Sequence, residues 1–126
     1  MSHEKCETAS TVIWLGEDGI LRATGKPGQD VKGADAADLI AAGLALNGGL
    51  RSPILVDLRA SKSVSRDARR VFEKTGASFN SAVGFLVHSP FSRVLGSFLI
   101  GINKPDIPAR LFEQENQALE WLKGYV

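Results

Sequence analysis

The chain has 126 residues, 44% apolar and 23% charged, with a formal charge of +1. That is enough chain for one domain that builds its core without staples, and near-neutrality excludes a global field that would draw in nucleic acid or an anionic membrane surface. A single cysteine, Cys6, excludes an internal disulfide or a cysteine-based metal cluster.

Residues 1–10, "MSHEKCETAS", are polar and lack the apolar core of a signal peptide. They are expected to form a disordered tail ahead of one domain at 11–126. "TVIWL" (Thr11 to Leu15) and "ILRAT" (Ile20 to Thr24) predict strands joined through "GEDG", a hairpin. Pro27-Gly28 suits the centre of a type II turn. "ADAADLIAAGLALNGG" predicts a helix with Asp35 and Asp38 early, where negative charge suits the dipole. Leu39, Ile40 and Leu44 face the sheet, and Gly48-Gly49 stop the helix.

"PILVDL" has four apolar residues in a row before Asp57, the pattern of a strand buried on both faces, as in parallel sheets. After it, Ala68, Val71, Phe72 and Thr75 fall at i, i+3, i+4, i+7, predicting a helix that ends at Gly76. Its opposite face carries Arg66, Arg69, Arg70, Glu73 and Lys74 as a solvated surface. "SAVGFLVH" (Ser81 to His88) is a second apolar strand, and "SPFSRVLGSFLIGIN" is a helix capped by Ser89 with Pro90 at its first position. Its most apolar part, Val94 to Ile102, is too short to cross a bilayer. The short proline-rich connection "NKPDIP" leads to a last strand, "ARLFE", and a last helix, "ENQALEWLKGYV". The order β-β-α-β-α-β-α-β-α predicts an α/β fold: a mixed, mostly parallel sheet of about five strands with covering helices. A cytoplasmic location fits the lone cysteine and the absence of a leader.

Positive charge is concentrated between Arg51 and Lys74, where seven basic residues meet three acidic ones. Ligands of open α/β sheets collect beyond the carboxyl ends of the strands, and a helix N-terminus there offers N–H groups to an anion. Asp57, Arg59, Ser61, Ser65, Arg66, His88, Ser89 and Arg93 are therefore the candidate ligand- or partner-binding residues. The plainer alternative is that Ser65 and Ser89 only cap helices, the arginines are solvated, and His88 satisfies its own neighbours. A Ser/His/Asp hydrolase is disfavoured, because no G-x-S-x-G elbow exposes a serine. The surplus of apolar residues on the third helix marks Phe91, Leu95, Phe98 and Ile100 as a candidate interface, or as one wall of a groove for a small apolar or lipid-like molecule. No phosphate loop, dinucleotide fingerprint or zinc spacing is present, so no cofactor and no metal are expected.

The element order, the strand "PILVDLR" and the ending "ARLFEQENQALEWL" resemble the STAS domain and the STAS/SEC14-like bacterial proteins, over roughly residues 11 to 124. The resemblance implies a STAS-like fold and a non-catalytic regulatory role played through a protein partner; the apolar third helix adds self-association, including a homodimer. It also implies a phosphorylatable serine at the start of the helix after the central strand. Ser65 stands at that place, in "SVSRDARR" where the family has Asp-Ser-Ser-Gly.

Overall fold

Uninterrupted apolar runs such as "PILV" and "AVGFL" can be satisfied only where both faces of a strand are covered, and the chain supplies a helical layer for each face. The computed structural model describes residues 5–103 and 107–126, and within them the side chains of all but residues 75–79 and 102–103. The elements are β1 (Lys5–Glu7), β2 (Thr11–Leu15), β3 (Leu21–Gly25), β4 (Asp30–Val31), α1 (Gly33–Leu46), β5 (Ser52–Asp57), β6 (Ser63–Val64) and α2 (Arg66–Phe79). They continue with β7 (Asn80–Leu86), α3 (Pro90–Asn103), β8 (Ala109–Phe112), α4 (Glu115–Leu122) and a single 3-10 turn, Lys123–Tyr125.

Six strands form the main sheet in the order β1-β2-β3-β5-β7-β8. The pairings β1–β2 and β2–β3 are antiparallel, and those of β3 with β5, β5 with β7 and β7 with β8 are parallel. The fold is thus the mixed, mostly parallel α/β arrangement expected, with one more strand. That strand is β1. Lys5–Glu7, expected in a disordered tail, instead close the sheet edge: Lys5 lies opposite Trp14 and Glu7 opposite Val12. Ser10 is buried, and its hydroxyl donates to the Asp35 carboxylate at the start of α1. An edge strand pairs on one side only and tolerates polar side chains, so it carries none of the apolar patterning by which strands are recognised. Residues 1–4 of the expected tail, and residues 104–106 of the proline-rich connection, lie outside the described residues.

The helices divide unequally. Ile13, Leu21, Ile54, Val83 and Phe85 pack with Leu39 and Ile40 of α1, Ala68 of α2 and Leu99 of α3 on one face. On the other, Ile20, Leu55, Leu86 and Phe112 meet Ala118 and Leu122 of α4. Leu122 is fully buried, and removing a leucine from such a place costs about 2–5 kcal/mol.

The turn at Pro27-Gly28 and the stop at Gly48-Gly49 form as expected. Gly28 has φ +70 and Gln29 N–H donates to Lys26 carbonyl, as a type II turn requires. Gly48 and Gly49, at φ +69 and +81, end α1. The predicted end of α2 does not hold. The helix passes Gly76 and runs to Phe79, directly before β7. A glycine inside a helix costs only about 1 kcal/mol and does not terminate it without a partner for the freed carbonyls. The side chains of Thr75, placed on the apolar face of this helix, and of Ile102 on α3 lie outside the described residues.

A second, two-stranded parallel ribbon pairs β4 with β6. Asp30 accepts a hydrogen bond from Ser63, Lys62 N–H donates to Gln29 carbonyl, and Ser65 N–H donates to Val31 carbonyl. This ribbon ties the approach to α2 to the approach to α1.

Candidate functional site at the ends of β5 and β7

At the end of β5 the Asp57 carboxylate turns back on its own chain. It accepts Arg59 N–H at 3.0 Å and grips the Arg59 guanidinium at 3.0 Å (Nε) and 2.8 Å (Nη2). This holds the Arg59 guanidinium above its usual pKa, chiefly through that hydrogen bond, with a smaller contribution from Glu115 of α4. Asp57 is in register with Leu86, whose side chain lies on the α4 face. The pair therefore belongs to the α4 side of the sheet, away from Ser65. With both oxygens committed to Arg59, Asp57 is not set to orient an imidazole.

The Ser61 to Ser65 loop is tied down. The N–H groups of Ser61, Lys62 and Ser65 donate to the carbonyls of Leu58, Gln29 and Val31. Ser65 Oγ accepts from Ala68 N–H at 3.1 Å, which is N-cap geometry. Ser61 is buried against Gly25, where any Cβ would collide with Ser61 Oγ. So these three loop N–H groups are engaged within the protein. Ser65 is half-buried and Arg66 exposed.

The β7–α3 junction is built on Ser92, a residue that sequence reading passed over. Its hydroxyl, 1% exposed with its residue, accepts N–H from His88 and Ser89, both at 3.0 Å, and donates to Ser89 carbonyl at 3.1 Å. Ser89 Oγ accepts Ser92 N–H in return, the cap that Ser89-Pro90 predicts. His88 itself is exposed, and Arg93 is ion-paired to Glu113 beyond β8. The eight candidates share one end of the sheet but split between its two sides.

What the structure gathers instead is apolar. Positions 91, 94, 95 and 98 repeat at helical spacing and make one face of α3. Phe91 is 54% exposed, Val94 70% and Phe98 50%. With Leu95, Ser63, Val64 and Arg69 they line a groove of about 210 Å³. Arg69, expected on a solvated face, is half-buried with its guanidinium 4.4 Å from the Phe98 ring centroid. Ile100, grouped with Phe91, Leu95 and Phe98 from sequence, is on the opposite side of the helix and packs into the main core. The surplus of apolar residues on α3 is therefore two stripes, one buried and one bare. Gly96 belongs to the buried stripe, where a Cβ would stand 2.6 Å from Leu111.

Among the described residues, no three His, Cys, Asp or Glu side chains converge to hold a metal ion, and no helix is long and apolar enough to cross a membrane.

The sheet order, the asymmetric helix layers and the capped helices after β5 and β7 define a SpoIIAA-like, that is STAS-like, fold. A crystal structure from Shewanella loihica PV-4, an uncharacterized protein of the DUF3478 family with a SpoIIAA-like fold, matches with a TM-score of 0.64. It covers 97% of this chain and 96% of its own at 17% identity, a likeness of fold alone. A protein of unknown function from Arthrobacter sp. FB24 is 37% identical over 87% of this chain and 96% of its own, with a TM-score of 0.34. Residues 13–126 match the model of the family described as Domain of unknown function (DUF7793), and the chain belongs to that family. No curated protein matches it.

Proposed function

We propose that the chain is a non-catalytic interaction domain whose groove between α2 and α3 takes an apolar segment of another protein flanked by acidic residues. The observation that carries this is the bare stripe of Phe91, Val94 and Phe98. Large contiguous apolar exposure is costly to keep in water unless something covers it. The rim selects the occupant. Arg69 lines the groove, Arg66 stands one turn before it on α2, Arg70 is paired to Asp67, and α3 carries no acidic residue. A second copy docking symmetrically through this groove would bring the two basic rims together, because a two-fold interface sets the same patch against itself. An acidic-flanked partner is attracted by the same rim.

The test uses a synthetic amphipathic helical peptide with glutamates at both ends, titrated by fluorescence anisotropy. Saturable binding is expected, weakened at least tenfold by Val94→Asp and by Arg69→Ala. Equal binding of a peptide with lysines in place of the glutamates would overturn the reading, as would variants that bind like the wild type. Light scattering that shows a dimer dispersed by Val94→Asp would assign the groove to a second copy instead.

A further inference from the structure

Between the central strands and the helices α1, α2 and α3 lies an interior cavity of about 90 Å³. Its lining runs from Asn80 and Ile54, near the starts of β7 and β5, to Gly25 and Ser61, beyond the end of β5. Asn80 is in register with Ser52, so from its level to that of Asp57 is roughly 17 Å of strand. A volume that small drawn out over that length is narrow. It suits one unbranched chain and not a fused-ring system.

Around the Asn80 end the lining is apolar, with Leu39, Phe72, Val83 and Leu99 among it. Asn80 breaks the pattern. It is 7% exposed, and its Oδ1 is buried without a hydrogen-bond partner among the described residues. Strict alternation from Val83 and Phe85 would turn residue 80 toward α4. A bulge prevents this: the register passes from Ser52–Asn80 to Ile54–Val83, so β7 advances three residues while β5 advances two. Ser81, next along, does point to the α4 side and donates to Tyr125 carbonyl at 2.9 Å. The bulge thus directs a polar side chain into an apolar interior, where an unmet acceptor is destabilising. Water is a poor match for it. A buried water needs two to four polar partners, and the described lining residues next along the strands, Ile54 and Val83, offer none. Thr11 and Ser61 are at the far end, and the Asp57 carboxylate is turned to the α4 side.

We propose that this cavity is a binding site for a neutral, unbranched apolar chain that carries one terminal hydrogen-bond donor, a hydroxyl, which donates to Asn80 Oδ1. An ionised head group does not fit, since burying its charge unpaired is far costlier. Val64 borders both this site and the groove, but α3 reaches the cavity through Leu99, on the side turned away from Val94.

The experiment is a solution NMR titration of the 15N-labelled protein with 1-octanol and, separately, with 1-methoxyheptane, which has the same number of heavy atoms and no donor. Saturable shifts at Val83, Leu39 and the Asn80 side-chain NH₂ are expected with octanol, at an affinity at least fivefold above that of the ether. Asn80→Leu should bind both and lose the preference. If that variant does not fold, the wild-type Asn80 NH₂ resonance still decides, since it should move with octanol more than with the ether. The proposal is overturned by shifts confined to Phe91, Val94 and Phe98, by no saturable shift, by equal response of Asn80 to both compounds, or by a preference that survives Asn80→Leu.

Discussion

The guanidinium of Arg69 on α2 stands over the ring of Phe98 on α3, 4.4 Å from its centroid. It bridges two helices at the rim of the groove and keeps one cation aimed at whatever covers the apolar stripe. At a half-exposed site such a contact is worth about 0.5–1 kcal/mol. A double-mutant cycle with Arg69→Ala and Phe98→Ala, read by urea denaturation, should return a coupling energy in that range. A coupling of zero would mean that the two side chains are neighbours without interacting.

Ser92 and Ser89 cap the same helix but should not be equivalent. Ser92→Ala strips two backbone N–H groups of their acceptor at a partly buried junction, a loss of about 1–3 kcal/mol. Ser89→Ala removes an ordinary cap, worth about 1 kcal/mol. Thermal unfolding should place Ser92→Ala below Ser89→Ala by several degrees.

Ser65 Oγ accepts from Ala68 N–H at the start of α2. Ser65→Ala should cost about 1 kcal/mol, and Ser65→Asp should recover most of it, since aspartate caps as well and adds charge where the dipole favours it. By the same physics a phosphate on Ser65 sits at a helix N-terminus beside Arg66 and Arg69 and should raise the melting temperature. Protein carrying genetically encoded phosphoserine at this position measures it directly; a lowered melting temperature would show the loop is disrupted instead.

Asp18 in the β2–β3 turn accepts two hydrogen bonds from Arg22, at 2.7 and 2.9 Å, and these hold its carboxyl below the usual range. A depressed folded pKa contributes stability that is present above the unfolded value, about 4, and is lost as pH falls through the folded one. Arg22 is raised in turn, chiefly by the same bond, but that contribution fades only at strongly alkaline pH. The pair is partly exposed, so solvent screening limits it to roughly 0.2–1 kcal/mol. Asp18→Asn should therefore lower stability at pH 7 and leave it almost unchanged at pH 2, which denaturant titrations at the two pH values compare.

The order of the principal elements was legible because it rests on local facts. Four apolar residues before Asp57 need two covered faces, Pro27-Gly28 needs a turn, and Ser89-Pro90 starts a helix wherever the chain goes next. Those constraints act over a few residues and survive any tertiary arrangement. The candidate site was legible only as a region. That Ser65 precedes a helix was readable; that its loop donors are spent on Gln29 and Val31 was not, because β4 is two residues long and lies more than thirty positions upstream.

The sequence by itself determined an α/β chain with a strand–helix rhythm and a third helix too apolar for one buried face. Tertiary structure alone decided that Lys5–Glu7 complete the sheet and that Asp57 holds Arg59. It also decided that Phe91, Val94 and Phe98 stay bare while Leu99 and Ile100 are covered, and that a bulge turns Asn80 inward. Each of these depends on which distant segment lies alongside. Periodicity says that a face is apolar, and only packing says what, if anything, is placed against it.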